Sequence, residues 1–301
     1  MSRRRKGRDV HGVILLDKPA GFSSSQAVQK VRWIFGARKA GHTGSLDPFA
    51  TGMLPICLGE ASKTAGFMLD SSKTYLATAL LGQSTSTGDI EGEVLQEMDV
   101  PALDAPKIDE ILNSFLGTLE QVPPMYSALK HEGQRLYKLA RAGVEVDRKA
   151  RSVEIYGLES VSWEPPLLQF RVRCSKGTYV RTLAEDIAAK LGTCAHLSAL
   201  RRLEVEPFHE QDMISLDELA QLAEAGQTDS CLLPVDAGLA DWPLVTLDQT
   251  LAHRFTHGNP VTASGCEPGP VRVYGPKNDL LGLGEITPEN HLKPKRVMNL
   301  Q

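Results

Sequence analysis

Between Lys73 and Leu81 the chain reads Lys-Thr-Tyr-Leu-Ala-Thr-Ala-Leu-Leu. Strict alternation puts Tyr75, Ala77 and Ala79 on one face of a strand. A stretch of this kind needs neighbours on both edges. Residues 12–17, 54–58, 151–161 and 167–174 read as further strands. Helical signals lie between them. Ser23, Ser24 and Ser25 offer N-caps to a helix with Val28, Val31 and Ile34 on one side. Residues 60–69, 106–119, 133–142, 180–191 and 215–225 are also read as helices, with a Pro123-Pro124 break after the second and Gly192 closing the fourth. Strands mixed with helices, without a regular βαβ repeat, point to a mixed α/β core. Asp241-Trp242-Pro243 reads as a boundary, followed by short apolar pieces rich in Gly and Pro that suit a small β domain.

The 301 residues can bury a sizeable core and more than one domain. No apolar run approaches the roughly 20 residues that span a bilayer. The apolar run after the basic N-terminus, Val13 to Leu16, is too short for a signal-peptide core, so the expected location is cytoplasmic. Five scattered cysteines, none in a Cys-x-x-Cys pair, suggest reduced thiols. The net charge is −4, yet the charge is uneven. Residues 123–151 hold seven Lys and Arg against three Asp and Glu. With Arg3, Arg4, Arg5, Lys6 and Arg8 they form two basic regions that raise the nucleic-acid option.

One carboxylate stands out chemically. Asp47 lies in Gly41-His-Thr-Gly-Ser-Leu-Asp-Pro48, a glycine-rich loop, and Pro48 biases it toward extended geometry. An isolated Asp-Pro turn is usually structural. Other chemistries fail here. Gly59-Glu-Ala-Ser-Lys-Thr64 lacks the glycine that precedes a P-loop lysine, no Gly-x-Gly-x-x-Gly follows a strand, and no Gly-x-Ser-x-Gly elbow occurs. No His, Asp and Glu cluster accompanies His42 and Asp47 to suggest a metal.

Beside Lys73-Thr-Tyr75 and Lys176-Gly-Thr-Tyr-Val-Arg181, the loop resembles that of the TruB family of tRNA pseudouridine synthases. Leu16-Asp-Lys-Pro-Ala-Gly21, Gln121-Val-Pro-Pro-Met-Tyr-Ser-Ala-Leu-Lys130 and Leu200-Arg-Arg202 extend the match in family order over nearly the whole chain. The resemblance implies an α+β fold with a bent, mixed, mostly antiparallel sheet, flanking helices and a central RNA cleft. It implies a catalytic domain over 1–245, with 123–151 as a basic RNA-binding insertion, and a small β-rich PUA-like domain over 246–301. The implied reaction isomerises uridine 55 in the T loop of tRNA. It needs no cofactor or metal, and a monomer is expected with tRNA as partner.

The resemblance also assigns residues. Asp47 is the nucleophile and Arg181 its counter-ion, expected to favour the carboxylate form. Tyr75 stacks on the target uracil, Tyr179 sits beside the base as a catalytic residue that assists removal of the C5 proton, and Leu200 lines the pocket. His42 enters the space vacated by the flipped nucleotide. Lys130, Arg135, Lys138, Arg141 and Arg148 contact the RNA backbone. Two other functions remain open at this point: a non-catalytic tRNA-binding or folding factor, and a guide-RNA-dependent synthase.

Overall fold

The computed structural model describes residues 7–127, 129–263 and 266–300. The chain enters on β1 (Gly12–Lys18), passes through α1 (Ser24–Ile34), and reaches β2 (Ala40–His42) and β3 (Thr51–Leu58). A 3-10 turn over Gly59–Lys63 and α2 (Ala65–Met68) lead to β4 (Lys73–Leu81). The hairpin of β5 (Gln83–Thr85) and β6 (Val94–Glu97) precedes α3 (Ala105–Asn113) and β7 (Gly117–Gln121). The basic segment holds β8 (Lys130–His131), β9 (Gln134–Arg135) and α4 (Leu136–Arg141). Then come β10 (Arg151–Glu164), β11 (Leu167–Cys174), α5 (Val180–Lys190), β12 (Ala195–Val205) and α6 (Leu216–Glu224). The C-terminal part contains β13 (Leu244–Thr246), α7 (Gln249–Thr256), β14 (Val261–Thr262), β15 (Gly269–Tyr274), β16 (Leu280–Ile286) and β17 (His291–Val297).

The large sheet runs β1-β3-β12-β4-β11-β10-β7, with β2 added to β3. Its pairs are antiparallel except β3 with β12. Alternation along β4 works as expected. Ala77 and Ala79 enter a core with Phe170 and Val172 of β11 and Leu183 and Ile187 of α5. The β1–β3 end is covered on both sides. Ile14, Leu16, Leu54 and Ile56 pack on Val28 and Val31 of α1 and Leu219 of α6. Val13, Leu15, Met53 and Cys57 face Val235 and Leu239, and also Leu283 and Met298 from the C-terminal part. Burial on both faces explains why β1 reads as a continuous apolar run.

Several elements differ from the sequence reading: the helix read over 133–142 spans only Leu136–Arg141 with β8 and β9 before it, and the β5–β6 hairpin carried no sequence signal. The helix placed over 106–119 ends at Asn113, and Gly117, at φ 89°, opens β7 instead. Residues 60–69 split into a 3-10 turn and a four-residue helix. Strand β12, central in the sheet, gave no alternating signal. Register shifts between Leu197 and Ala199 and between Arg202 and Glu204 reset its facing twice, and a period-2 pattern cannot survive that.

Gly52 marks the closest approach in the sheet. It pairs with Lys18 on one side and Arg202 on the other, at φ +95°. A Cβ there would lie 2.2 Å from the Arg202 carbonyl oxygen. Both neighbours are strand backbone, so neither yields cheaply. Gly52→Ala is expected to cost roughly 3 kcal/mol or more from strain and overpacking. A denaturant midpoint equal to wild type would contradict this.

Candidate active site

Asp47 is carried by the loop between β2 and β3, and two buried cations fix that loop from below. Lys18, fully buried at the end of β1, donates from Nζ to the carbonyls of Pro19 (2.9 Å), Phe22 (2.7 Å) and Pro48 (3.2 Å). Burial lowers its pKa to about 8, a shift the Asp47 charge opposes. Arg202, 1 % exposed, donates from Nε to the Met53 carbonyl (2.7 Å) and from Nη2 to the Gly44 carbonyl (3.1 Å). The first turn of α1 adds a third tether. Ser24 Oγ accepts the Leu46 N–H at 2.7 Å and donates to the Leu46 carbonyl at 2.9 Å.

Arg181 approaches from the second residue of α5. A cation is disfavoured by the helix dipole at that end, so its position requires specific partners. They are present. Arg181 Nε lies 3.1 Å from Asp47 Oδ2, and Nη1 lies 3.4 Å from Asp89 Oδ2. Nη1 also donates to the Thr87 carbonyl (2.6 Å) and Nη2 to the Tyr126 carbonyl (2.8 Å). The Arg181 side chain is 5 % accessible, whereas that of Asp47 is 39 % accessible. A fixed guanidinium therefore aims a carboxylate that still faces outward. Among the described residues, Oδ1 of Asp47 accepts no hydrogen bond.

Arg181 favours the charged form of Asp47, as expected, but burial outweighs it. Burial pushes its carboxyl above the usual aspartate range. Arg181 and Lys18 oppose this, while the Asp89 carboxylate adds to it. Arg181 thus directs the carboxylate and only partly offsets desolvation. The same crowd raises Glu185, one turn beyond Arg181, to about 7 through burial first and then Asp186.

The other predicted groups surround this pair. Tyr75 stands on β4, paired across to Arg202 and to Val172. Burial raises its phenol, and both Arg202 and Asp47 lie near enough to act on it. Leu200, on β12, is buried opposite Ala77 of β4. Tyr179 is the N-cap residue of α5. Gln121 of β7 clamps its backbone by accepting the Tyr179 N–H (2.8 Å) and donating to its carbonyl (3.1 Å). Burial raises the Tyr179 phenol, with Ser127, Arg151 and Arg181 opposing. At neutral pH the group is a neutral phenol, not a phenolate base.

His42 ends β2, and its Nδ1 accepts the Gly44 N–H at 3.2 Å. Burial, then Arg202 and Arg135, lower its pKa, so the ring is neutral at physiological pH. With Nδ1 accepting, the proton sits on Nε2, leaving one donor at the ring edge. Arg135 of the basic segment thus lies near enough to act on His42. Arg135 and Lys138 are exposed, whereas Arg148 is held by the Pro123 carbonyl (3.3 Å) and lies 3.6 Å from Glu145. The side chains of Lys130 and Arg141 lie outside the described residues, as do Arg3, Arg4, Arg5 and Lys6 of the N-terminal basic region.

Four contributors escaped the sequence reading: Asp89, Gln121, and Lys18 and Arg202 as loop tethers. Asp89 accepts from Thr87 Oγ1 (2.6 Å) and from the Glu91 N–H (3.0 Å) in a tight turn after β5. Its sequence signal, Thr87-Gly-Asp89, reads as an ordinary turn. Among the described residues, no group of three His, Cys, Asp or Glu side chains could hold a metal, and no helix is long and apolar enough to cross a membrane.

Comparison with known proteins identifies the family. The TruB family pseudouridylate synthase N-terminal domain matches residues 32–180. A tRNA pseudouridylate synthase B C-terminal domain matches 181–240, and a pseudouridine synthase II TruB C-terminal domain matches 243–298. A tRNA pseudouridine synthase B of Nitrosococcus oceani is 50% identical over 299 residues, covering 98% of this chain and 97% of the relative. The chain belongs to the TruB family. A second TruB-family relative, from Pseudomonas aeruginosa, is 48% identical over 98% of both chains. Among solved structures, a chain of a Cbf5-Nop10-Gar1 complex superposes with a TM-score of 0.73 at 27% identity, over 95% of this chain and 84% of that one. A chain of an H/ACA RNP bound to a substrate RNA containing 2′-deoxyuridine gives 0.73 at 25% identity, over 96% and 86%.

Proposed function

We propose that the protein isomerises uridine 55 in the T loop of tRNA to pseudouridine. The observation that carries this reading is the half-exposed Asp47 held by Arg181 beside Tyr75 and Tyr179, in a chain of the TruB family. The N1–C1′ bond breaks, the uracil turns and C5 bonds to C1′; the C5 proton passes to solvent and N1 takes one up in its place. Substrate and product are isomers, so the reaction balances without a redox partner or ATP.

Asp47 acts as the nucleophile and must be ionised. Arg181 directs its Oδ2, which supports attack through Oδ1. Tyr75 stacks on the base, Leu200 lines its pocket, and Tyr179 stands beside it as a neutral phenol. His42, with its Nε2 proton, fills the place of the flipped nucleotide. Residues 123–151 close over the T arm, and Lys130, Arg135, Lys138, Arg141 and Arg148 meet phosphates. Residues 1–245 form the catalytic domain, and 246–301 form a PUA-like RNA-binding domain. The protein works as a monomer in the cytoplasm, where its tRNA substrate resides. Relatives at 46–50% identity, named tRNA pseudouridine synthase B, favour tRNA over a guide-dependent substrate.

The test is tritium release from a T-arm transcript carrying 5-tritiated uridine. One tritium per transcript is expected, and no release at saturating RNA would sink the reading. A pH dependence follows. A carboxyl raised above its ordinary value of 3.8 gains its proton earlier as pH falls. kcat/KM is therefore expected to drop on the acid side at a pH above the normal aspartate range. An acid limb at or below pH 3.8 in a folded enzyme would contradict this assignment.

A further inference from the structure

Trp33 is 76 % exposed, an unusual state for a large apolar ring. It stands in the last turn of α1, with Lys30 Nζ 5.5 Å from its ring centroid. Gln26, Gln29 and Lys30 are exposed at helical spacing from it, so the outer face of α1 is polar, basic and aromatic. The charge around it is one-sided. From Lys18 to Leu46 the chain holds five Lys and Arg and no Asp or Glu, although the whole protein carries −4. Two nearby arginines are paired: Arg8 with Asp229 and Arg38 with Asp9. Among the described residues no carboxylate lies within 4 Å of Lys30, Arg32 or Lys39. The acidic helix α6 packs on the opposite, apolar side of α1, through Leu219 against Val28 and Val31.

The position of this face is as telling as its composition. α1 begins at Ser24, which is bonded directly to the Asp47 loop. Trp33 lies nine residues farther along, about 14 Å at 1.5 Å per residue. Beyond it, Arg38 and Lys39 lead straight into β2, which ends in His42. The first turn of the helix is thus bonded to the Asp47 loop, and its C-terminal end runs on in sequence to His42.

We propose that the outer face of α1 is a second RNA contact, engaging a part of tRNA outside the T arm. It rests on the RNA reading above. Trp33 stacks on an unpaired base, while Lys30 and Lys39 meet phosphates. RNA is favoured over a protein partner because the unpaired charges are all positive and α1 is bonded at Ser24 to the Asp47 loop.

Tritium release is measured for the full-length chain on two substrates: a complete tRNA transcript and a T-arm hairpin. Trp33→Ala is expected to raise KM for the transcript roughly tenfold, within the range of one lost stacking contact, and to leave the hairpin unchanged. Trp33→Phe retains most of the affinity for the transcript. Lys30→Gln with Lys39→Gln reduces the slope of log affinity against log salt by about 2, as for two phosphate contacts. The melting temperature stays at the wild-type value, since the ring is exposed.

Equal KM for wild type and Trp33→Ala on the transcript would overturn the proposal. So would an equal loss on both RNAs, or unchanged RNA kinetics with loss of a protein partner. Silence of the wild type on both RNAs contradicts the activity reading itself and takes this proposal with it.

Discussion

Asp47→Asn is expected to abolish tritium release, by about 10⁴-fold or more in kcat, the scale of losing a nucleophile. Asparagine keeps the shape and loses the charge. The loop does not depend on that charge for its position. Lys18, Arg202 and Ser24 all hold it through backbone atoms of neighbouring residues. Folding and RNA affinity should therefore stay near wild type while chemistry disappears. A variant that still releases tritium at the wild-type rate would remove Asp47 from the nucleophile's role. One that is inactive because it no longer binds RNA would make the residue a structural one.

Arg181→Met carries the second large effect, and it strikes stability as well as rate. The guanidinium spans Asp47, Asp89 and two backbone carbonyls. Asp89 is 4 % accessible, so removal of Arg181 strands a buried carboxylate. Breaking a buried pair in this way costs about 3–5 kcal/mol. The loss of a fixed charge at the nucleophile is expected to lower kcat a further 10²–10³-fold. Arg181→Lys restores a point charge without the fork, so it should recover part of the stability and little of the rate. Denaturant titration and single-turnover kinetics of the two variants test this. A denaturant midpoint for Arg181→Met equal to that of wild type would contradict this.

The sequence exposed most of the candidate site groups and few of their supports. Asp47, Tyr75, Tyr179 and Arg181 lie in short motifs, and three of the four are at element ends or in turns. Local signals are strongest there. Arg181 was legible through its conflict with the helix dipole, and the structure resolves that conflict with two carboxylates. Asp89 and Gln121 were not legible. Each acts across long sequence separations, 92 residues from Asp89 to Arg181 and 58 from Gln121 to Tyr179, and neither leaves a local periodic trace. Arg202 was hidden for a related reason. Its strand breaks alternation twice, and a buried arginine bonded to carbonyls looks like any surface arginine in a string of letters.

Helix α3 shows the limit of periodicity at a boundary. The apolar spacing of Ile108, Ile111 and Leu112 continues to Phe115, yet Gly117 turns the chain into β7. That turn matters to the site because Gln121, four residues on, holds Tyr179. The need for glycine at position 52 comes only from the sheet. A parallel pair with β12 brings the Arg202 carbonyl against its Cα. The strand that could not be seen is the one that makes the glycine obligatory.

Formation of pseudouridine at one tRNA position through Asp47 can be followed in cells lacking the protein and complemented with wild type or with Asp47→Asn, by mapping pseudouridine in their tRNA. Position 55 is expected to read as uridine without the protein, to return to pseudouridine with wild type, and to stay uridine with Asp47→Asn. Pseudouridine at position 55 in the absence of the protein, or its return with Asp47→Asn, would contradict this.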